Sequence, residues 1–147
     1  MPTPFQDNHK VDTKYIRAAS EALAPHLRPG ALVVLESTSP PGTTEDMAKH
    51  LIELRPDLSL NDEDDNAIFV AHCPERVLPG QIMEEMENND RVIGGLTPKG
   101  TELARDLYAT FCTAELLMTN ATTAEMAKLT ENSFRDVNIA FANELSL

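Results

Sequence analysis

The residues best equipped for chemistry stand near the end of the chain. Glu125, Lys128, Asn132 and Arg135 recur three and four positions apart, which on a helix gathers them within about 80° of arc. A lysine and an asparagine one turn apart can both aim N–H donors at an oxyanion forming on a bound molecule. The opposite sector carries Met126, Leu129, Val137 and Ala140. The same pattern also describes the solvated face of an ordinary amphipathic helix. Asn132 sits poorly with that plainer account, because asparagine is a mediocre helix former.

Two loops offer further candidates, each directly after an apolar run. Ala31–Leu35 leads into Glu36-Ser37-Thr38-Ser39-Pro40-Pro41-Gly42-Thr43, and Ala67–His72 leads into Cys73-Pro74-Glu75-Arg76-Val77-Leu78-Pro79-Gly80. Ligands of open α/β sheets bind at the carboxyl ends of strands, so the first loop's hydroxyls are well placed. Those hydroxyls equally suit a strand-to-helix connection whose own backbone they satisfy. In the second loop Glu75 and Arg76 lie between two prolines. This is either a stiffened binding loop, since function concentrates on loops held by a scaffold, or a surface loop with a weak ion pair. Pro2-Thr3-Pro4 reads as a polar turn.

These groups need a scaffold, and the hydrophobic pattern supplies one. Asp12 is a candidate cap for a helix carrying Ile16, Ala19, Leu23 and Leu27, closed by Pro29-Gly30. Ala31–Leu35 reads as a buried strand. A second helix starts at Thr43 or Thr44, with Glu45 and Asp46 in its first turn and Met47, Leu51, Ile52 and Leu54 facing inward. Strand Ala67–His72, a short helix around Ile82–Glu87 and strand Arg91–Ile93 follow. Thr97-Pro98 opens a third long helix with Leu103, Leu107 and Phe111 on one side. After strand Leu116–Met118, Thr122-Thr123-Ala124-Glu125 reads as a capping box that starts a helix running to Leu147.

Strands alternating with helices predict an α/β fold, a mostly parallel sheet covered on both faces. A dinucleotide-binding sheet normally carries Gly-x-Gly-x-x-Gly after its first strand, whereas the one glycine pair here is Gly94-Gly95. The expectation is therefore the second half of a Rossmann-like parallel sheet domain over 1–121, its first half missing, then the truncated start of a long central helix over 122–147.

Composition removes several classes. The 147 residues carry 24 acids against 12 basic groups, a formal charge of −12. Nonspecific nucleic-acid binding needs the opposite balance. The acidic run Asn61–Asn66 reads as a solvated loop. No apolar run approaches the roughly 20 residues that span a bilayer, and the first residues carry no signal-peptide pattern. Cys73 and Cys112 show no metal-type spacing, so reduced thiols in the cytoplasm are expected and a metal site is not.

Together the motifs resemble a known family. Pro2-Thr3-Pro4-Phe5, then Ser37-Thr38-Ser39-Pro40 with Gly42-Thr43, resembles the second half of the cofactor domain of UDP-sugar 6-dehydrogenases, the UDP-glucose/GDP-mannose dehydrogenase family. Cys73–Gly80 looks like the substrate loop of the branch acting on UDP-N-acetylmannosamine, and Thr123–Ala140 resembles the start of the family's central helix. Arg135-Asp136-Val137-Asn138 again points to the N-acetylhexosamine branch.

The resemblance implies oxidation of a sugar C6 alcohol to a carboxylate in two NAD-dependent steps, through an aldehyde and a cysteine-bound thioester. It implies that Thr3 and Thr38 touch NAD and that Arg76 and Val77 hold the nucleotide sugar. Lys128, Asn132 and Arg135 would line the reacting end. Lys128 would be the proton-transfer and electrostatic group, and Glu75 would position or activate the hydrolytic water. The family's cysteine lies in a Gly-rich segment expected after Leu147, so neither Cys73 nor Cys112 is the nucleophile and the piece alone is expected to be inactive. The implied partners are a UDP-sugar and a second copy joined through the central helix, with no nucleic acid and no membrane. Two alternatives stay open: another UDP-sugar 6-dehydrogenase (UDP-N-acetylglucosamine or UDP-glucose), or a non-catalytic nucleotide-sugar-binding or dimerisation module.

Overall fold

A computed structural model describes residues 13–77, 80 and 82–146. Thr3, the Pro2–Phe5 turn, the Asp12 cap, Leu78 and Pro79 lie outside the described residues. The apolar runs form short strands that alternate across the sheet. In β1 (Leu32–Leu35), Val33 and Leu35 face one core while Leu32 and Val34 face the other. Helix α2 (Thr43–Leu54) carries the chain back so that β2 (Phe69–His72) pairs in parallel with β1, from Leu32 opposite Phe69 to Leu35 opposite His72. Met47, Ala48 and Leu51 face the core, whereas Leu54, expected inside, is exposed where the helix ends.

Helix α1 (Lys14–Leu23) packs on α2 and is followed by a 3-10 turn (Ala24–His26). Their buried positions are Ile16, Ser20, Ala24 and Leu27. Ser20 replaces the expected Leu23, which is exposed. Its hydroxyl donates to Ile16 O at 2.8 Å, so burying it leaves no donor unpaired.

The sheet then reverses. After β2 and helix α3 (Ile82–Asn88), strand β3 (Arg91–Gly95) runs antiparallel to β2, with Ala71 opposite Gly95 and His72 opposite Gly94. A parallel return needs a crossover element that covers the sheet. Helix α3 buries none of its residues, so it covers nothing and the chain simply turns back. Helix α4 (Pro98–Ala109) restores a crossover, and β4 (Leu116–Asn120) pairs parallel with β3. Thr97 caps α4 by accepting from Gly100 N, with Pro98 in its first turn.

Sequence periodicity put Leu103, Leu107 and Phe111 on the working side of α4, but its buried face is Gly100, Thr101, Ala104 and Tyr108. Close approach decides this. A Cβ at Gly95 would lie 2.4 Å from Thr101 N, so only small side chains fit between helix and strand. Leu107 is left exposed, and Phe111 packs at the flank.

The four strands follow chain order, β1-β2-β3-β4. Helices α1 and α2 lie on one face and α4 on the other. The last helix, α5 (Ala121–Leu145), packs on β3, β2 and β4 and touches α2. Its N-cap is Asn120, which accepts from Thr123 N at 2.9 Å. The capping box expected at Thr122–Glu125 does not form, because Glu125 is engaged elsewhere.

Candidate functional site

The site is set by how α5 leaves the sheet. A Cβ at Gly94 would sit 2.1 Å from Asn120 O, so the glycine lets the start of α5 lie directly against β3. Ala121 and Ala124 complete this close seat at 4% and 0% exposure. The side of α5 that turns inward is consequently the polar one. Glu125 is 1% exposed and Lys128 and Asn132 are half-buried, while Met126 and Val137 point to solvent. The solvated-face account of the stripe is thereby overturned for its first two turns.

Glu125 reaches the start of α2. Its Oε2 accepts from Gly42 N and its Oε1 from Thr44 N, both at 2.7 Å, and Thr44 Oγ1 donates to Oε1 at 2.6 Å. Under it lies His72, fully buried, with both ring nitrogens unpartnered among the described residues. Burial holds the imidazole below its ordinary pKa, with the Glu125 charge opposing.

The loop after β2 continues alongside β1. Cys73 N donates to Leu35 O and Glu75 N to Glu36 O, each at 3.1 Å. Glu75 curls back on this loop: its Oε1 accepts from Arg76 N at 2.7 Å and Val77 N at 2.9 Å. The Arg76 guanidinium extends outward, donating to Asp90 O at 3.2 Å and pairing with Glu131 at 2.9 Å. The other oxygen of Glu131 lies 3.6 Å from Lys128 Nζ. One carboxylate thus ties the loop cation to the helix cation.

These groups border a cleft of about 600 Å³ between the loop, the α3–β3 turn and α5. Arg76, Val77, Lys128 and Arg135 line it, and Glu131, Phe134, Glu85 and the run Asn88–Asp90 complete the wall. Asn132 and Glu75 are not on this wall. Thr38, half-buried, sits on the separate loop beyond β1. Glu131 was detectable in principle, three residues from Lys128 on adjoining helix faces. Asn88, Asn89 and Asp90 carried no signal beyond that of a polar turn.

A second polar cluster underpins both loops. Tyr108 donates to the Glu36 carboxylate. Arg91, 2% exposed, stacks its cation over the rings of Tyr108 at 5.0 Å and Phe111 at 5.8 Å and donates to Met86 O. Cys73 lies in the same cluster, fully buried, and burial pushes its thiol pKa up. A thiol held neutral makes a poor nucleophile. Cys112 is also buried, its Sγ 3.6 Å from Asn89 O.

A dinucleotide would find part of its site here. Thr38 stands at the carboxyl end of β1, where a cofactor's edge is met in such sheets. The start of α2, which elsewhere would attract a pyrophosphate, already has the amides of Gly42 and Thr44 committed to Glu125. The amides of Gly42 and Thr44 are therefore not open to a diphosphate. No group of three His, Cys, Asp or Glu among the described residues is placed to hold a metal, and no described helix is long and apolar enough to cross a membrane.

A four-stranded, mostly parallel sheet with a polar cleft where a long helix departs from it has the architecture of open α/β nucleotide-binding domains. Residues 1–112 match the NAD binding domain of the UDP-glucose/GDP-mannose dehydrogenase family and residues 122–147 match its central domain, so the chain belongs to this family. It is 59% identical over 150 residues to the UDP-N-acetyl-D-mannosamine dehydrogenase of Campylobacter jejuni, covering 100% of this chain and 37% of that protein. It is 57% identical to the NDP-N-acetyl-D-galactosaminuronic acid dehydrogenase of Ralstonia nicotianae, covering 100% of this chain and 35% of that protein. The solved UDP-D-ManNAc dehydrogenase of Pyrococcus horikoshii superposes with a TM-score of 0.88 at 48% identity, over 97% of this chain and 32% of that one. The chain thus spans about a third of the length of these relatives.

Proposed function

We propose that the complete protein carrying this chain oxidises the C6 alcohol of UDP-N-acetyl-D-mannosamine to the carboxylate, giving UDP-N-acetyl-D-mannosaminuronate. Two NAD molecules each accept a hydride, one in the alcohol step and one in the aldehyde step. Water supplies the second carboxylate oxygen. The observation that carries this reading is the cleft in which Arg76, Val77, Lys128 and Arg135 converge from a loop and a helix. Within it, Arg76 and Val77 hold the nucleotide part, and Lys128, with Asn132 and Arg135 on the same helix, faces the reacting carbon. Lys128 stabilises negative charge on the substrate oxygen and relays its proton. Glu75 positions the hydrolytic water, and Thr38, with Thr3, contacts NAD. Residues 1–121 form the cofactor-domain part and 122–147 the start of the central helix.

The covalent step requires a cysteine outside this sequence, since Cys73 and Cys112 are both buried in structural settings. By itself the 147-residue chain, which also carries no Gly-x-Gly-x-x-Gly loop to hold the cofactor's pyrophosphate, should therefore reduce no NAD. We place the protein in the cytoplasm, where its free thiols stay reduced. The exposed apolar side of α5 is assigned to a homodimer contact.

The test is the gene's complete product, assayed for NADH formation with UDP-N-acetylmannosamine, UDP-N-acetylglucosamine and UDP-glucose. We expect two NADH per sugar and the highest kcat/KM with the first substrate. A higher value with another nucleotide sugar replaces the substrate assignment. No turnover with any of them, against a folded protein, refutes the enzyme reading.

A further inference from the structure

Glu125 has no role in the reading above, yet it is the buried charge that joins the two halves of the proposed site. The N-cap of helix α2 is Gly42, whose φ of 94° belongs to the left-handed region that favours glycine. A serine, threonine or aspartate there would be strained, so the residue that begins the helix cannot also cap it with a side chain. Both Glu125 oxygens supply the missing cap from 81 and 83 residues away, through the bonds to Thr44 and Gly42. An ionised carboxylate suits the positive end of a helix, and its bonds to backbone amides are charge-assisted.

The contact lies between the groups that matter. Glu125 stands one turn before Lys128, and Gly42 stands four residues after Thr38. The intervening loop is stiff: Pro40 and Pro41 fix its path, buried Ser39 donates to Ser37 O at 2.8 Å, and Thr43 Oγ1 donates to Pro40 O at 2.7 Å. Neither end can shift without the other. We propose that Glu125 is a positioning residue that bolts the start of α5 to the loop after β1, so that the cofactor-side hydroxyl and the reacting-end lysine are held at one set separation. The catalytic consequence rests on the roles given to Thr38 and Lys128 above, whereas the mechanical coupling does not.

Two variants test it from opposite ends. Glu125→Gln keeps the shape but turns one acceptor into a donor facing N–H groups. Thr44→Val removes one bond at constant volume on the α2 side. In the 147-residue chain, amide hydrogen exchange should accelerate together at Gly42 and Thr44 and along Lys128–Asn132, by roughly 10-fold or more for Glu125→Gln and less for Thr44→Val. Acceleration confined to the α2 side overturns the coupling. In the complete gene product, both variants should lower kcat by roughly 10- to 100-fold, as expected when reacting groups are misplaced, while KM for the nucleotide sugar changes only a few-fold. A variant that loses thermal stability but keeps wild-type kcat per folded molecule reduces Glu125 to a structural cap and overturns the proposal. A wild-type product without dehydrogenase activity refutes the functional reading alone, because the exchange experiment still decides the coupling.

Discussion

The two halves of helix α5 invert the usual rule of burial. From Ala121 to Asn132 the sheet-facing side holds alanines, a carboxylate, an ammonium and an amide, with Glu125 at 1% exposure. From Phe134 to Leu145 the apolar residues face outward: Phe134 and Leu145 are each 73% exposed, Val137 68% and Phe141 65%. Carboxylates are almost never fully buried unless paired, and exposed apolar clusters mark contact surfaces. Neither half is therefore explained by folding alone. The first half keeps Glu125 inside because the donors of Gly42 and Thr44 hold it, and Lys128 lies beside the Glu131 carboxylate at the proposed site. The second half leaves apolar groups outside, where the proposed homodimer contact would cover them.

The sharpest test removes the one ammonium of the buried half that lines the cleft. In the complete gene product Lys128→Ala should lower kcat by about 10²–10³, the usual cost of one oxyanion donor, with KM for the sugar little changed. Arg76→Ala should act the other way, raising KM more than it lowers kcat, because a group that holds the unreacting part stabilises ground and transition states alike. If Lys128→Ala moves only KM, the buried half is a binding surface and the catalytic assignment fails.

The next test attacks the seat of that half. Gly94→Ala drives a methyl into the Asn120 carbonyl, and we expect a loss near the upper end of the roughly 1–3 kcal/mol that overfilling costs. Chemical denaturation measures it. A loss no greater than that of Leu107→Ala, at an exposed position of α4, would show that α5 is free to stand off the sheet.

The exposed half should respond in association and not in folding. Val137→Ser with Phe141→Ser should weaken self-association by roughly 2 kcal/mol, about 30-fold, if these exposed apolar residues anchor the contact. The unfolding free energy of the dilute chain should stay within about 0.5 kcal/mol of the parent. Sedimentation equilibrium distinguishes the outcomes, and a parent that remains monomeric at high concentration removes the dimer assignment.

Sequence reasoning succeeded where a pattern is periodic and local. The β1 and β2 runs, the α4 cap at Thr97 and the polar stripe of α5 all appeared where residue types predicted them. It failed where tertiary approach overrides local preference. Leu107 looked like a core residue, but the closeness of β3 gives the buried face to Gly100, Thr101 and Ala104 instead. The stripe's angular position was legible, but not which side of it met solvent, since periodicity fixes a face without saying what lies against it. Glu125 looked like half of a capping box because the motif is defined by spacing, and spacing cannot see that α2 lacks a cap 81 residues earlier. The antiparallel step at β3 was hidden because a short helix between strands is written the same whether or not it covers the sheet. The cluster of Cys73, Arg91, Tyr108 and Glu36 was invisible for the same reason, its members being scattered over four elements.

The smallest effect concerns the floor beneath the buried half. His72 lies under Glu125 with its imidazole fully buried, and burial holds its pKa below the ordinary value of 6.5. Above that value the ring is neutral in both folded and unfolded chains, so it contributes no slope to stability. As the pH falls through 6.5 the unfolded chain takes up a proton that the folded chain still refuses, and stability drops by at most about 1.4 kcal/mol per pH unit for one group. The loss continues until the folded ring also protonates, at a pH that the opposing Glu125 charge raises. We therefore expect the unfolding free energy to decline from about pH 7 to pH 5 and the slope to flatten in His72→Gln, which keeps a polar side chain but does not titrate. The same acidification should lower amide protection factors in the first two turns of α5 before it affects Phe134–Leu145, whose side chains already face water. If parent and variant share one slope across this range, other groups govern the acid response and His72 is an inert part of the core.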